Sequence, residues 1–116
     1  MQIQKDAKLL RIFIGDSDKI GNTPVYEEIV INAKKAGLAG ATVFKGVMGF
    51  GSTSRIHTSK ILRLSEDLPL IIEMVDEIEK IENFLPQLDK IFEKANCGGL
   101  ITIEKAEVIK YTANKK

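Results

Sequence analysis

The sequence predicts one α+β domain in which four strands and two helices follow each other in the order β-α-β-β-α-β. Its 116 residues are 44% hydrophobic and 28% charged, an ordinary balance for a single globular domain with its own core. Short segments of alternating or continuous apolar residues indicate strands, and two longer segments repeat apolar residues at helical spacing. Glycine, proline and asparagine separate these segments, as expected for turns. We therefore predict that residues 1–116 form one domain.

The first strand and the first helix have clear boundaries. Residues 8–14 place apolar residues at every second position, and Gly15 follows them, which predicts a strand and its end. Thr23 is predicted as the N-cap of the first helix, with Pro24 in the first helical position and Gly37 as the stop. The buried face of this helix would consist of Val25, Ile29, Ala33 and Ala36.

A long connection is predicted between the second and third strands. Residues 41–48 form the second strand and residues 68–75 the third, with Pro69 near its start, where proline costs least. Residues 49–67 show neither helical spacing nor clean alternation, so they are predicted to be a long loop. A loop of this length inside a small domain is more often functional than inert.

The second helix is predicted over residues 77–95. Asp76 would cap its beginning, and the turn of residues 96–99 would end it. Pro86 lies inside this helix and is expected to kink or break it, because proline removes one backbone hydrogen bond and crowds the carbonyl group of Glu82.

A last strand is predicted over residues 100–111, followed by a flexible tail at residues 112–116. The element order is then that of the ferredoxin-like fold, a four-stranded antiparallel sheet with both helices on one face. The other face would present apolar residues that no further layer covers: Leu9, Phe13, Val43, Ile71 and Val75. Such a face is expected to be an interface, and copies of the same chain packing sheet to sheet would cover it.

Charge and composition restrict the classes of function. The 17 basic and 16 acidic residues leave a net charge of +1, so there is no general attraction to nucleic acid or to anionic membranes. No apolar run approaches the ~18 residues of a membrane span, and the N-terminus carries no apolar signal core. The single cysteine, Cys97, cannot form an internal disulfide and favours a reducing compartment. We therefore expect a cytoplasmic protein that does not insert into membranes.

Residues 45–60 are the candidate ligand-binding segment. Gly46, Gly49 and Gly51 would let the backbone adopt positive φ and approach a ligand closely, and successive N–H groups in such a turn can hold an anion. Positive charge in and after the segment comes from Lys45, Arg55, His57, Lys60 and Arg63. This chemistry suits a phosphate or another small anion. The alternative is a flexible hairpin with solvated basic residues, and the sequence leaves both interpretations open.

No catalytic or metal-binding constellation is predicted. His57 is the only histidine, so one chain cannot supply a histidine cluster, and a surface loop residue is its simpler interpretation. Neither a Ser-His-Asp nor a Cys-His arrangement is visible. We therefore expect a binding or regulatory module rather than an enzyme.

Several motifs together resemble a family of short PII-like proteins, domain-of-unknown-function family 190. The resemblance extends from about Leu9 to Tyr111, nearly the whole chain. The motifs that carry it are at residues 41–46, 49–51, 56–58, 67–69, 72–76, 81–86 and 99–102.

The resemblance implies a ferredoxin-like subunit that assembles as a homotrimer, with the sheets facing the threefold axis. In the PII superfamily, adenine nucleotides bind in clefts between subunits, at the root of the long loop, the end of the third strand and a loop before the fourth. The matching positions here are Gly46, Gly49, Phe50, Gly51, Met74, Val75, Gly98 and Gly99. With Lys45, Arg55 and His57, these residues form the candidate ligand site.

The chain also departs from true PII proteins. They carry a longer Gly-Asp-Gly-Lys type of loop before the fourth strand, whereas this chain has only the turn of residues 96–99. AMP, ADP or another anion is therefore as consistent with the sequence as ATP, and no obligatory cofactor is expected. Members of the family often occur beside fluoride-exporter genes, so a membrane transporter or another protein is the expected target.

Two further hypotheses remain at this point. The RNA-recognition module shares the β-α-β-β-α-β order, and Lys45-Gly46 with Gly49-Phe50 faintly resembles its glycine-aromatic signature, although the third strand lacks the aromatic residues that stack bases. Divalent-cation-tolerance proteins share the trimeric fold, but one histidine and one cysteine in each subunit are few metal ligands.

Overall fold

The structure, a computed structural model, describes residues 6–51, 57–58 and 67–113, with residues 57–58 described through their backbone alone. Its elements in chain order are β1 (Asp6–Gly15), β2 (Lys19–Ile20), β3 (Thr23–Pro24), α1 (Val25–Lys35), β4 (Thr42–Lys45), β5 (Met48–Gly49), β6 (His57–Thr58), β7 (Pro69–Asp76), α2 (Ile78–Ala95) and β8 (Leu100–Glu107).

The main sheet has four strands in the order β4-β7-β1-β8, and every neighbouring pair is antiparallel. The short pairs β2–β3 and β5–β6 form two-stranded ladders beside it. The predicted α+β, ferredoxin-like arrangement is therefore confirmed. Tail residues 114–116, and most of the predicted loop at residues 49–67, lie outside the described residues.

The core lies between one face of the sheet and the two helices. Every second residue of β7 is buried, and the same alternation continues in β1. Ile12 and Ile72 pair across the two strands, and both are 0% exposed. The helices complete the core with Val25, Ile29, Ala33, Ile81, Phe84, Leu88 and Ile91. Full burial of one such side chain stabilises the fold by roughly 1.5–3 kcal/mol, so this alternation determines which sheet face meets the helices.

Strand register also determines the composition of the opposite face, called here the open face. One row of paired apolar residues crosses all four strands, from Phe44 through Ile71 and Phe13 to Leu100. Val43 instead pairs with Ile72 and packs against the core, so the prediction that Val43 lies on the open face is wrong. Two consecutive apolar residues in a strand of four residues do not reveal which of them faces the core.

A charged cluster lies beside the apolar row on the open face. Arg11 Nε lies 2.8 Å from Glu73 Oε2, and Arg11 Nη1 lies 2.9 Å from Glu104 Oε2. The pKa of the Arg11 guanidinium is raised, mainly by its hydrogen bond to Glu73. The open face therefore combines an apolar stripe with a fixed ion-pair cluster.

Both helices begin differently from their predictions. Thr23 and Pro24 form β3, so α1 begins at Val25 with Pro24, not Thr23, at the N-cap position. The N-cap residue of α2 is Glu77, and neither helix has a side-chain cap. The predicted cap, Asp76, is 1% exposed and does not occupy the cap position.

The carboxylate of Asp76 joins two segments that are far apart in sequence. Its Oδ1 accepts a hydrogen bond from the N–H of Glu77 at 2.7 Å, and its Oδ2 accepts one from the N–H of Ala39 at 2.9 Å. Asp76 thus ties the end of β7 to the segment that leads into β4.

The C-terminal ends of both helices agree with the sequence prediction better than their N-terminal starts do. Gly37 has φ 85° just after α1, and Asn96 has φ 50° just after α2. A break at Pro86 does not occur, because α2 continues through it. Pro86 and Glu82 are both exposed, so water can satisfy the carbonyl group that loses its helical partner. In the part of the chain that the structure describes, no helix is both long and apolar enough to cross a membrane.

Candidate functional site

The glycine-rich segment leaves the sheet where β4 ends and β7 begins. The N–H of Gly46 donates to the carbonyl oxygen of Pro69 at 2.7 Å. A Cβ on Gly46 would lie 2.7 Å from Pro69 Cγ, and a Cβ on Gly49 would lie 3.2 Å from it. Neither glycine has positive φ, since the glycines with positive φ in the described ranges are Gly21 and Gly37. Gly46 therefore leaves no room for a Cβ beside the Pro69 ring, Gly49 packs tightly on the same ring, and neither glycine supplies an unusual backbone conformation.

Lys45 supplies a cation at this root of the segment. Its Nζ lies 3.1 Å from Asp16 Oδ2, and the side chains of Lys45 and Asp16 are 58% and 19% exposed. Lys45 pairs with Leu70 in the sheet and lies on the helix side of β4. There it lines an open depression of about 300 Å³ together with Asp16, Pro24, Tyr26, Val43 and Leu70. The depression offers a cation and an aromatic ring to a small anionic ligand.

The turn after β1 is bound to the residues that precede β7. The N–H of Asp16 donates to the carbonyl oxygen of Leu68 at 2.9 Å, and the N–H of Leu68 donates to Asp16 Oδ1 at 3.1 Å. The N–H of Ser17 donates to Asp67 Oδ1 at 2.9 Å. A Cβ on Gly15 would overlap the Asp67 carboxylate, so a larger residue there would displace the carboxylate that binds Ser17. We call this arrangement the Asp16 clasp.

Burial and nearby charge raise the pKa values of two groups close to the Asp16 clasp, Asp18 and Cys97. Burial raises the pKa of Asp18, and the charges of Asp67 and Asp16 raise it further, while the hydrogen bond from the N–H of Gly15 lowers it. Burial, and then the charge of Asp18, raises the pKa of Cys97. The Cys97 thiol is therefore held in its protonated form, which is not the nucleophilic one.

The second glycine corner lies at the other edge of the sheet. Gly98 and Gly99 connect α2 to β8, and a Cβ on Gly99 would lie 2.6 Å from the carbonyl oxygen of Phe13 and 2.7 Å from the ring of Phe92. Gly46 and Gly99 are at the same end of the sheet, but β4 and β8 are its two opposite edges. Three strand spacings, about 14 Å, therefore separate the two corners within one subunit.

The other candidate residues have varied positions. Phe50 is 69% exposed, and none of the described residues lies within 4 Å of a Cβ built on Gly51. Met74 is 1% exposed and belongs to the core, so its side chain is not available to a ligand, whereas Val75 is half-buried on the open face. His57 belongs to β6, where its backbone pairs with Gly49. Arg55 lies outside the described residues, as do Lys60 and Arg63.

Sequence reasoning missed Asp16 and Tyr26 as residues of this region. Asp16 directly follows Gly15 at the end of β1, where aspartate is expected in a turn, and its two partners, Lys45 and Leu68, are distant in sequence. Within residues 6–51, 57–58 and 67–113, no group of three or more His, Cys, Asp or Glu side chains is arranged to hold a metal ion.

Comparison with known proteins identifies the family. Residues 7–108 match the model of the DUF190 family, which is described as an uncharacterized ACR. A UPF0166 protein of Aquifex aeolicus is 41% identical over 102 residues, which is 88% of this chain and 92% of that protein. A UPF0166 protein of Methanocaldococcus jannaschii is 39% identical over 104 residues, with coverage of 90% and 93%. The chain belongs to the DUF190 family.

Solved structures show that this DUF190 chain has a PII-like fold. CPII, a nitrogen regulatory PII-like protein from Thiomonas intermedia bound to ADP, AMP and bicarbonate, superposes with a TM-score of 0.69 at 21% identity over 90% of each chain. A PII-like protein from Thermus thermophilus gives a TM-score of 0.64 at 17% identity over 94% of each chain. The resemblance found in the sequence is thus confirmed at the level of family and fold.

Proposed function

We propose that this protein is a cytoplasmic, homotrimeric PII-like regulator, without catalytic activity, that binds a small anionic ligand in a cleft between subunits. An adenine nucleotide, AMP, ADP or ATP, is the first candidate. The placement of the two glycine corners carries the proposal. The two corners, Gly46–Gly51 and Gly98–Gly99, are at the same end of the sheet. Within one subunit they are about 14 Å apart, because they belong to opposite edge strands. One small ligand would therefore touch both corners only where two subunits meet.

The open face supports assembly from identical subunits. Its apolar row crosses the whole sheet, and Phe44 and Leu100 at the two ends are 46% and 55% exposed. Contacts between such stripes on identical copies can be heterologous and close into a ring, as a homotrimer requires. CPII superposes in its ADP-bound and AMP-bound form, which makes an adenine nucleotide the natural first ligand to test.

The chemistry at the root suits a nucleotide. Lys45 supplies a positive charge for a phosphate, and Phe50 supplies an exposed aromatic ring five residues later. Stacking of a base on an aromatic side chain contributes roughly 1–3 kcal/mol. In this proposal Arg55 and His57 complete the cleft. Met74 and Val75 lie towards the opposite end of β7 from Pro69, so the expectation that they line the cleft beside the glycine corners of the same subunit is dropped.

Ligand binding would act on a partner through residues 49–67. Both ends of this segment are attached to the root, by the packing of Gly49 on Pro69 and by the Asp16 clasp at Leu68. A ligand with different affinity for two arrangements of the root shifts the population between them. A membrane transporter or another protein is the proposed target of that change.

The first test is calorimetric titration of ADP, AMP and ATP into protein whose oligomeric mass has been measured by light scattering. We expect a trimer that binds one nucleotide per subunit. Gly49→Val, which crowds Pro69, and Arg55→Ala should each abolish binding and leave the trimer intact. Gly40→Val is the matched control, because no residue in the described part of the chain lies within 4 Å of a Cβ at Gly40. Unchanged affinity in both site variants would refute this site, and a monomer would refute the inter-subunit cleft.

A further inference from the structure

Lys45 and Asp16 form an ion pair inside the proposed ligand site. The Asp16 carboxylate is largely shielded and the Lys45 ammonium is largely exposed. The pair lines the depression beside the glycine root, where the anionic part of a ligand would lie. An anion that binds there meets a lysine that already has an anionic partner.

Asp16 divides its carboxylate between two tasks. Its Oδ2 contacts Lys45 Nζ at 3.1 Å, while its Oδ1 accepts the N–H of Leu68 at 3.1 Å. Its own N–H donates to the Leu68 carbonyl oxygen, so Asp16 is anchored to Leu68 by two hydrogen bonds. Lys45 is therefore the mobile member of the pair, since its exposed aliphatic stem allows it to turn towards another anion.

We propose that the Asp16–Lys45 ion pair is an autoinhibitory contact: a bound anion competes with Asp16 for Lys45, and ligand binding separates the pair. The inference rests on the proposed function, because it concerns the regulation of that same site. Partly exposed ion pairs are weak, so the competition reduces affinity by about twofold to fivefold and does not prevent binding.

Separation of the pair would also affect the clasp. Among the described residues, Lys45 is the cation that contacts Asp16, and Asp18 and Asp67 are neighbouring acidic groups. When Lys45 turns to the ligand, its positive charge no longer offsets the repulsion among the carboxylates of Asp16, Asp18 and Asp67. Ligand occupancy is thereby coupled to Leu68, the residue that Asp16 holds just before β7.

The test is calorimetric titration of ADP into the 116-residue protein and four variants at one salt concentration. Asp16→Asn keeps an oxygen that can accept the N–H of Leu68 but removes the charge that holds Lys45. Asp18→Asn is the matched control, since it removes an equal charge nearby without breaking an ion pair to Lys45. Lys45→Met, alone and combined with Asp16→Asn, tests whether the effect of Asp16→Asn requires the lysine. Adenosine, which has no phosphate, serves as a neutral probe.

We expect Asp16→Asn to bind ADP about twofold to fivefold more tightly than Asp18→Asn, with no such gain in the Lys45→Met background or for adenosine. Hydrogen exchange at the Leu68 amide should rise on ADP binding in the wild-type protein. Equal ADP affinity of Asp16→Asn and Asp18→Asn would overturn the autoinhibitory contact and leave the proposed function intact. If neither the wild-type protein nor Asp16→Asn binds ADP, the proposed function is overturned and this inference with it.

Discussion

Replacement of Asp76 by asparagine tests whether this residue acts as a helix cap or as a buried link. At a helix N-cap, asparagine and aspartate are nearly equivalent, so a cap role predicts a change of less than about 0.5 kcal/mol in the free energy of unfolding. In the structure, the two carboxylate oxygens accept hydrogen bonds from Glu77 and Ala39, and the side chain is 1% exposed. Asparagine would accept one of these bonds and turn an NH2 group towards the other donor.

The magnitude follows from that geometry. A hydrogen bond to a charged group contributes about 1.5–3 kcal/mol, and a buried donor without a partner adds to the loss, so we expect Asp76→Asn to destabilise by about 2–3 kcal/mol. Urea unfolding at one fixed subunit concentration measures this difference. Asp89→Asn, on the exposed side of α2, is the control and should change stability by less than about 0.5 kcal/mol. If Asp76→Asn is as stable as that control, the buried-link interpretation is refuted.

Three further predictions concern other parts of the fold. Gly99→Ala should destabilise by about 1–3 kcal/mol in thermal or urea unfolding, because the new Cβ would meet a strand carbonyl at 2.6 Å and an α2 ring carbon at 2.7 Å, whereas Gly98→Ala, with open space, should be neutral. Arg11→Met should dissociate the oligomer in light scattering, because it leaves two glutamates unpaired on the open face; an unchanged mass would contradict that interface. Asp18 has a raised pKa in the folded state, so its ionisation lowers stability as pH rises through that pKa. Asp18→Asn should therefore be more stable than wild type at pH 7. At a pH below the ordinary pKa range of aspartate, this difference in stability should disappear. The same difference at both pH values would contradict this assignment.

The elements of this fold could largely be predicted from local sequence. The alternation in residues 8–14 predicted β1, and Gly37 and Asn96 marked the ends of both helices, where the structure has positive φ. Such signals are local because a strand must present one face to the core at every second residue, and a helix must stop where its backbone leaves the right-handed region. The candidate root at Lys45 and Gly46 was predicted in the same way, from closely spaced glycines and neighbouring basic residues.

Tertiary structure decided the roles of individual residues. Val43 and Phe44 are equally apolar, and only pairing with β7 shows that Val43 meets the core and Phe44 the open face. The sequence suggests that Gly46 and Gly49 provide backbone freedom. In the structure, their lack of a side chain instead allows close packing against Pro69.

Asp16 and Asp76 also show the difference between what local sequence indicates and what the fold decides. Asp16 carried the local signature of a turn residue, and Asp76 that of a helix cap. Their actual partners, Lys45 and Ala39, lie 29 and 37 residues away in the chain. The sequence by itself thus determined the order of elements, the family and the glycine-rich root, because these depend on short-range patterns. Which side chains meet across the sheet was decided only by folding, because contacts between distant segments have no short-range pattern.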